Sequence, residues 1–557
     1  MKHSIWIPSV LSAAILVACG GGSTDTANDG TAGPSAPTGP ITPAALGLSG
    51  VAATGAAIAG GAVEAKCASG TGSATSNADG SYMVSVVSGS LPCLLKITPV
   101  SGAPLYSVAS GTGATATANI NPVTQLVLAS LTGADPGAYF AGFDNAAAAS
   151  VTSAKVADAV GAVKTTLLAA GLDLGSIDVL AGALMPASGT VTGNAYDQAL
   201  DALAAKLAGA GSTLADLAVA VAAASPVTVA AAAAPSTTGS ATASLPAELL
   251  LKPAASNCAA LRSASYRVIH PEAGKTLADQ TGKLTIDAAT LAVVFDDGST
   301  GQWVPNGACR YLGDAGKTDI VVSPAGVIVA RYLDTVTNTM KLAIGFPEQT
   351  HALAELEGTW NTTSLQYDDV VLAYVGNAAT GTFSATGTLS DHRGCQDSAT
   401  WSVVTTCHTQ TSNFPTLRVN ADGGFDVVAA DATVGGRTFA YRAGSGDLML
   451  VNVDTDGSFE LRNRQRSNEL PAVGRVSTSW DVITSNKLLT TPTISQSTNT
   501  VTAIDAATRS FTRLAKTVGG TDERSETVRI NNPRNGYNFR AAATLTGTNG
   551  TPINVGE

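Results

Sequence analysis

Charge is what this sequence has least of. Asp, Glu, Lys and Arg make up 13% of its 557 residues, against about 25% in an ordinary soluble domain. The balance is acidic, with a net charge of −11. That excludes a general nucleic-acid binder, which needs a basic footprint over the phosphates, and a long basic membrane-surface patch. Aromatic residues are only 5%, and histidines number five. The chain has no H-E-x-x-H for a catalytic zinc and no G-x-S-x-G for a hydrolase nucleophile. No catalytic residue, metal-ligand set or cofactor motif is assigned. Ala, Gly, Ser and Thr fill the space that charge and aromatics leave, and hydrophobic residues reach 45%. The length suits roughly three or four domains and a core that needs no metal or disulfide merely to form.

The start of the chain speaks to location. Lys2 and His3 precede an apolar run from Ile5 to Val17, too short to span a bilayer, which takes about 20 apolar residues. Then come Leu16-Val17-Ala18-Cys19 and Gly20-Gly21-Gly22. Leader, box and flexible tail in this order resemble the lipobox region of bacterial lipoproteins. The resemblance implies a signal peptide over 1–18, acyl chains on Cys19, and anchoring at the outer membrane, since Gly20 rather than Asp follows the cysteine. Several acyl chains hold durably where one holds marginally. Residues 19–46, the modified cysteine and a Gly/Ser/Thr/Pro stretch without periodicity, read as a flexible tether.

An exported chain changes the meaning of its other cysteines. Cys67, Cys93, Cys258, Cys309, Cys395 and Cys407 are an even set, which suggests disulfides. Locality favours the pairs Cys67–Cys93, Cys258–Cys309 and Cys395–Cys407. His392 and His408 flank the last pair and leave a zinc site as the alternative there.

The expected fold class is multidomain α+β: an N-terminal β-sandwich, an Ala-rich helical middle and an antiparallel β-rich C-terminal region. Residues 47–119 begin Gly-rich and place Asp79-Gly80 before a strand through Tyr82, Val84 and Val86. This pattern resembles the carboxypeptidase regulatory-like, transthyretin-like sandwich, and implies a structural module without chemistry of its own. Residues 120–225 switch to helical period. Asn121-Pro122 is a helix opening; Val156, Val160, Val163 and Leu167 recur at helical spacing, as do Tyr196, Leu200, Leu203 and Leu207. Thr213-x-x-Asp216 is a capping box. Residues 226–255 read as a linker. The uncharged run from Leu217 to Ala247 is interrupted by Pro226 and Pro235, which argues against a membrane span. Strand-like runs separated by turn signals then divide into β-rich parts over 256–350 and 351–557, the second a barrel or sandwich. Gly358-Thr359-Trp360 resembles, over three residues, the G-x-W that opens lipocalin-like barrels.

Candidate sites are few. Asp454-Thr455-Asp456-Gly457 starts like a calcium loop, but the twelfth position is Gln465 where the loop needs a bidentate Glu, so it reads as a hairpin turn. Trp303, Trp360, Trp401 and Trp480 are either core residues or sugar-stacking platforms. Arg462, Arg464 and Arg466 alternate, so in a strand they share one face, suited to an anionic glycan or lipid phosphate or simply a solvated edge. The functional expectation is a membrane-anchored envelope lipoprotein with a non-catalytic binding, adhesion or structural role. Its partners would be the membrane, through the N-terminal lipid, and a glycan or other envelope component, with no nucleic acid and no cofactor. A hydrolase of envelope or extracellular polymers is the alternative.

Overall fold

The computed structural model describes residues 45–225, 245–369, 372–397, 402–411, 414–484, 492–521, 523–531, 538–542 and 552–555. The first strands form a two-layer sandwich. One layer holds β1 (Ala45–Val51), with β4 (Ser81–Val87) and β7 (Thr115–Thr117) on either side. The other runs β3 (Thr71–Thr75), β2 (Ala62–Ser69), β5 (Ser90–Thr98), β6 (Leu105–Ala109). Alternation drives it: Tyr82, Val84 and Val86 of β4 point inward while Met83 and Val87 are exposed. The Asp79-Gly80 turn suits glycine for two reasons. Gly80 has φ +78°, and a Cβ there would lie 2.4 Å from the Ala52 carbonyl oxygen. Cys67 and Cys93 stand opposite each other on β2 and β5 and are disulfide-bonded.

Six helices follow: α1 (Pro122–Thr132), α2 (Pro136–Ala141), α3 (Asn145–Ser150), α4 (Ser153–Ala169), α5 (Ala195–Ala210) and α6 (Leu214–Ala223). Asn121 caps α1 through a capping box and donates to the Tyr196 hydroxyl, and Gly133 ends the helix in the left-handed conformation. Val156, Val163 and Leu167 of α4 and Leu200, Leu203 and Leu207 of α5 are buried in one core with α1 and α6. The expected linker needs correction. Leu245, Ala247, Leu249, Leu250 and Leu251 are buried in this same helical core. An apolar Leu run cannot remain solvated beside an uncovered helix face. Residues 226–244 lie outside the described residues. No single helix among the described residues is long and apolar enough to cross a membrane.

After a short pair, β8 (Ala254–Ala255) and β9 (Cys258–Arg262), the chain builds a first barrel. Its strands are β10 (Ala264–Ile269), β11 (Thr281–Asp287), β12 (Ala292–Phe295), β13 (Thr300–Gln302), β14 (Val304–Pro305), β15 (Arg310–Gly313), β16 (Thr318–Val322), β17 (Ile328–Asp334) and β18 (Thr339–Pro347). Neighbours pair in sequence order and β18 pairs with β10. The sheet's two ends, β13 and β14, are separated by Trp303 alone. They act as one broken strand that bonds β12 on one side and β15 on the other. The result is an up-and-down barrel with eight strand positions. Cys258 and Cys309 are disulfide-bonded, and Cys258 is buried in the core of this barrel.

A second barrel repeats this plan: β19 (Gly358–Asp368), β20 (Ala373–Phe383), β21 (Leu389–Asp397), β22 (Ser402–Thr409), β23 (Thr416–Val419), β24 (Phe425–Val428), β25 (Val434–Arg442), β26 (Leu448–Asp454) and β27 (Phe459–Arg464). Here β27 pairs with β19. The fourth strand position is again split. β22 bonds the far part of β21, while β23 meets its start through the Thr388–Thr416 bridge and the Leu389 and Leu417 amides. Residues 351–557 are thus not one barrel or sandwich. Past Arg464 the chain makes a separate antiparallel sheet, in which β28 (Val476–Thr484) is followed by β29 (Pro492–Asp505), β30 (Ser510–Thr517), β31 (Glu523–Ile530), β32 (Asn538–Ala542) and β33 (Pro552–Val555).

The barrels are fused along one apolar seam. Ile269, Ile344 and Phe346 of the first pack on Phe439, Tyr441, Val451 and Phe459 of the second. Arg267 stacks 4.4 Å over the Phe439 ring and pairs with Glu348 at 3.0 Å. Ile494 of β29 packs on Val321, Val329 and Leu342, on the outer face of the first barrel.

Candidate functional site

The first barrel is hollow. Its interior holds a cavity of about 220 Å³ lined by Val268, Leu284, Val293, Ile320 and Ile328. Gly282, Gly301, Gly313, Ala330, Ala343 and Gly345 also line it. Small residues at inward positions on several strands leave the central space unfilled. Trp303 closes one side, its ring 5.8 Å from that of Tyr311. His270 follows β10 and joins the wall, its ring edge-on to Tyr332 at 5.4 Å. The His270 Nδ1 is buried and has no hydrogen-bond partner. Burial pushes the His270 pKa down to about 4 and the Tyr332 pKa up to about 12. Both are therefore neutral at physiological pH.

Charges near the cavity are already engaged. Lys341 lies between Glu272 at 2.7 Å and Asp334 at 2.5 Å. Lys283 pairs with Glu348 at 2.5 Å. The Asp296 carboxylate accepts from the Lys283 amide at 3.0 Å, and Asp314 accepts from the Thr318 hydroxyl at 3.0 Å. Phe295, Val294 and Val304 are exposed beside the split strand. The arrangement can enclose a small apolar molecule and offer it the unpartnered His270 Nδ1. Among the described residues no group of His, Cys, Asp and Glu could hold a metal ion.

Among its described residues the second barrel is filled. Trp360, Phe383, Phe425 and Leu450 are buried in its core, and the space between Trp360, Phe383, His392 and Arg462 is about 20 Å³, room for roughly one water. Here the expectation for Arg462, Arg464 and Arg466 is overturned. Arg462 faces the interior, where it pairs with Glu460 (Nε to Oε2 3.0 Å) and lies over the Phe383 ring. Arg464 lies 4.5 Å over the Trp360 ring and donates to the Glu355 and Glu357 carbonyls. Only Arg466, past the end of β27, is exposed, and it pairs with Asp447 at 2.8 Å. Alternation does put the first two arginines on one face, but that face is turned inward. There is no free three-arginine surface for a phosphate or an anionic sugar.

The other sequence candidates fall as follows. Cys19 lies outside the described residues, and so do the side chains of Cys395 and Trp401. Cys407 is disulfide-bonded, which removes its thiolate from the zinc reading. His392 is half-buried against Arg462 and its pKa is lowered, first by burial. His351 contacts Glu355 at 3.1 Å and Gln349 at 2.9 Å. Asp454–Gly457 is a hairpin turn closed by the Gly457 amide on the Asp454 carbonyl. Trp303 and Trp360 are buried. Sequence reading missed the cavity and His270. The available signal was isolated glycine inside strand patterns at Gly282, Gly301, Gly313 and Gly345, which marks missing side-chain packing.

No family model matches the chain, and no curated protein matches it. Among solved structures it is similar to isotype 1 transferrin binding protein B from serogroup B Neisseria meningitidis. Identity there is 10%, the alignment covers 45% of this chain and 53% of that one, and the TM-score is 0.13. It is also similar to a tryptophan-to-alanine mutant of the vaccine antigen transferrin binding protein B from Haemophilus parasuis Hp5. There identity is 7%, coverage is 50% and 68%, and the TM-score is 0.14. The chain thus spans about half the length of the first of these proteins. Likenesses at these TM-scores carry no structural argument.

Proposed function

We propose that this chain is a cell-envelope lipoprotein, anchored through Cys19 at the outer membrane, with a binding rather than a catalytic role. The sandwich and helices serve as its structural base, and the first barrel holds the ligand. One observation carries this reading: of two barrels built on one plan, the first keeps an apolar cavity of about 220 Å³. Eight-stranded barrels have interiors just wide enough to be filled by side chains or to hold one small ligand, and leaving such a space empty forfeits packing energy. Two experiments test the two halves. Cys19→Ser should move the protein from the membrane fraction to the soluble fraction; retention after a high-salt wash contradicts anchoring. Toluene at about ten times its Kd should stabilise the protein by about 1.4 kcal/mol. Ala330→Leu and Ala343→Leu together, which take up most of the cavity, should abolish that gain. A gain that persists in the variant places binding elsewhere.

A further inference from the structure

The His270 imidazole is the one polar group of the cavity wall with a buried, unpartnered atom. Its Nδ1 has no donor or acceptor within the protein, while its own backbone amide is bonded to Gln280 at 2.8 Å. A buried polar atom without a partner is costly, and a ligand that supplies the missing bond recovers that cost. Around it the wall is Val268, Tyr332 and the small residues Ala343 and Gly345. Lys283 in the lining is held by Glu348 and Lys341 nearby by two carboxylates, so no free cation is available to pair with an anionic ligand, and the lining carboxylates Asp296 and Asp314 are exposed to solvent. Burying an unpaired ion in such a wall is strongly unfavourable. Size narrows the choice further. A cavity of about 150 Å³ takes benzene, so 220 Å³ admits one ring and a few more atoms. The exposed Phe295, Val294 and Val304 give the adjacent surface the same apolar character.

We propose that the first barrel binds a small, uncharged, largely apolar molecule carrying a hydroxyl or similar group, which is oriented by a hydrogen bond to His270 Nδ1. This rests on the reading of the first barrel as the ligand site. A hydroxyl suits either tautomer of the ring, because it can donate to a bare Nδ1 or accept from a protonated one.

Phenol and toluene, nearly equal in size, test it by calorimetric titration of the whole chain. Wild-type protein should bind phenol at least as tightly as toluene. His270→Leu should weaken phenol about tenfold and toluene by less than about threefold, the size of one net hydrogen bond. His270→Phe, which keeps an aromatic ring and removes its nitrogens, serves if the Leu variant does not fold, as judged by circular dichroism. If toluene binds but phenol is weaker in the wild type, or phenol is unaffected by either variant, the hydrogen-bond inference is wrong and the cavity reading stands. If folded wild-type protein binds neither probe, the cavity reading fails and takes this inference with it.

Discussion

The two barrels share strand order, strand count and the position of the broken strand, yet one is hollow and one is plugged. A shared detail aligns them. Tyr266 on β10 donates its hydroxyl to the Arg262 carbonyl, and Trp360 on β19 donates its indole N–H to the Leu356 carbonyl, each four residues back. Taking these aromatics as equivalent, the register places Val268 opposite Gly345 where the second barrel has Thr362 opposite Arg462. One inward step further along the last strand, Ala343 corresponds to Glu460. The plug is therefore an ion pair standing where the first barrel has glycine and alanine. The architecture is common to both; side-chain volume at two positions on one strand decides much of what each interior can do.

That contrast can be broken from either side. The largest expected effect is on the frame of the hollow barrel. Replacing Cys258 and Cys309 by serine opens a link between residues 51 apart in sequence and should cost about 4 kcal/mol on the chain-entropy estimate, read by urea unfolding. In the plugged barrel, Arg462→Met leaves the Glu460 carboxylate largely buried without its partner. The expected loss is about 3 kcal/mol, and Glu460→Leu in the same chain should restore most of it. A surface arginine would change stability by only about 0.5 kcal/mol, so the measurement separates an interior pair from an exposed face.

The third test uses pH. His270 titrates near 4 in the folded chain instead of its ordinary 6.5. Between these values the unfolded chain binds a proton that the folded chain refuses. Stability present above about pH 6.5 should thus fall as pH drops toward 4, by roughly 3 kcal/mol from this group. His270→Leu should flatten that part of the profile relative to wild type. The smallest effect is a gain. A Cβ on Gly313 would meet Thr318, Trp303 and Ile320 at 3.4–3.8 Å, ordinary contact distances. Gly313→Ala should therefore stabilise by about 0.5–1 kcal/mol.

Much of the architecture is legible in the sequence, for identifiable reasons. Alternation at Tyr82, Val84 and Val86 and the helical spacing of Val156, Val163 and Leu167 are local patterns, and local patterns survive without knowledge of the fold. The turn at Asp454–Gly457 is read from four residues for the same reason. The duplication is not legible, because the barrels share topology and not sequence: Gly345 answers to Arg462, and Tyr266 to Trp360. Which face of β27 points inward depends on closure with β19, a partner about a hundred residues earlier in the chain. Hence the alternation of Arg462 and Arg464 is visible but its direction is not. His270 is hidden by the same limit, since its surroundings come from β11, β17 and β18.

The most direct test of the account is a methyl NMR titration of the whole chain with toluene. The account predicts saturable shifts at Val268, Leu284, Val293, Ile320 and Ile328 of the first barrel, with Leu389, Leu417 and Leu450 of the second barrel unmoved. Shifts centred on the second barrel, or none in either while the protein remains folded, would contradict it.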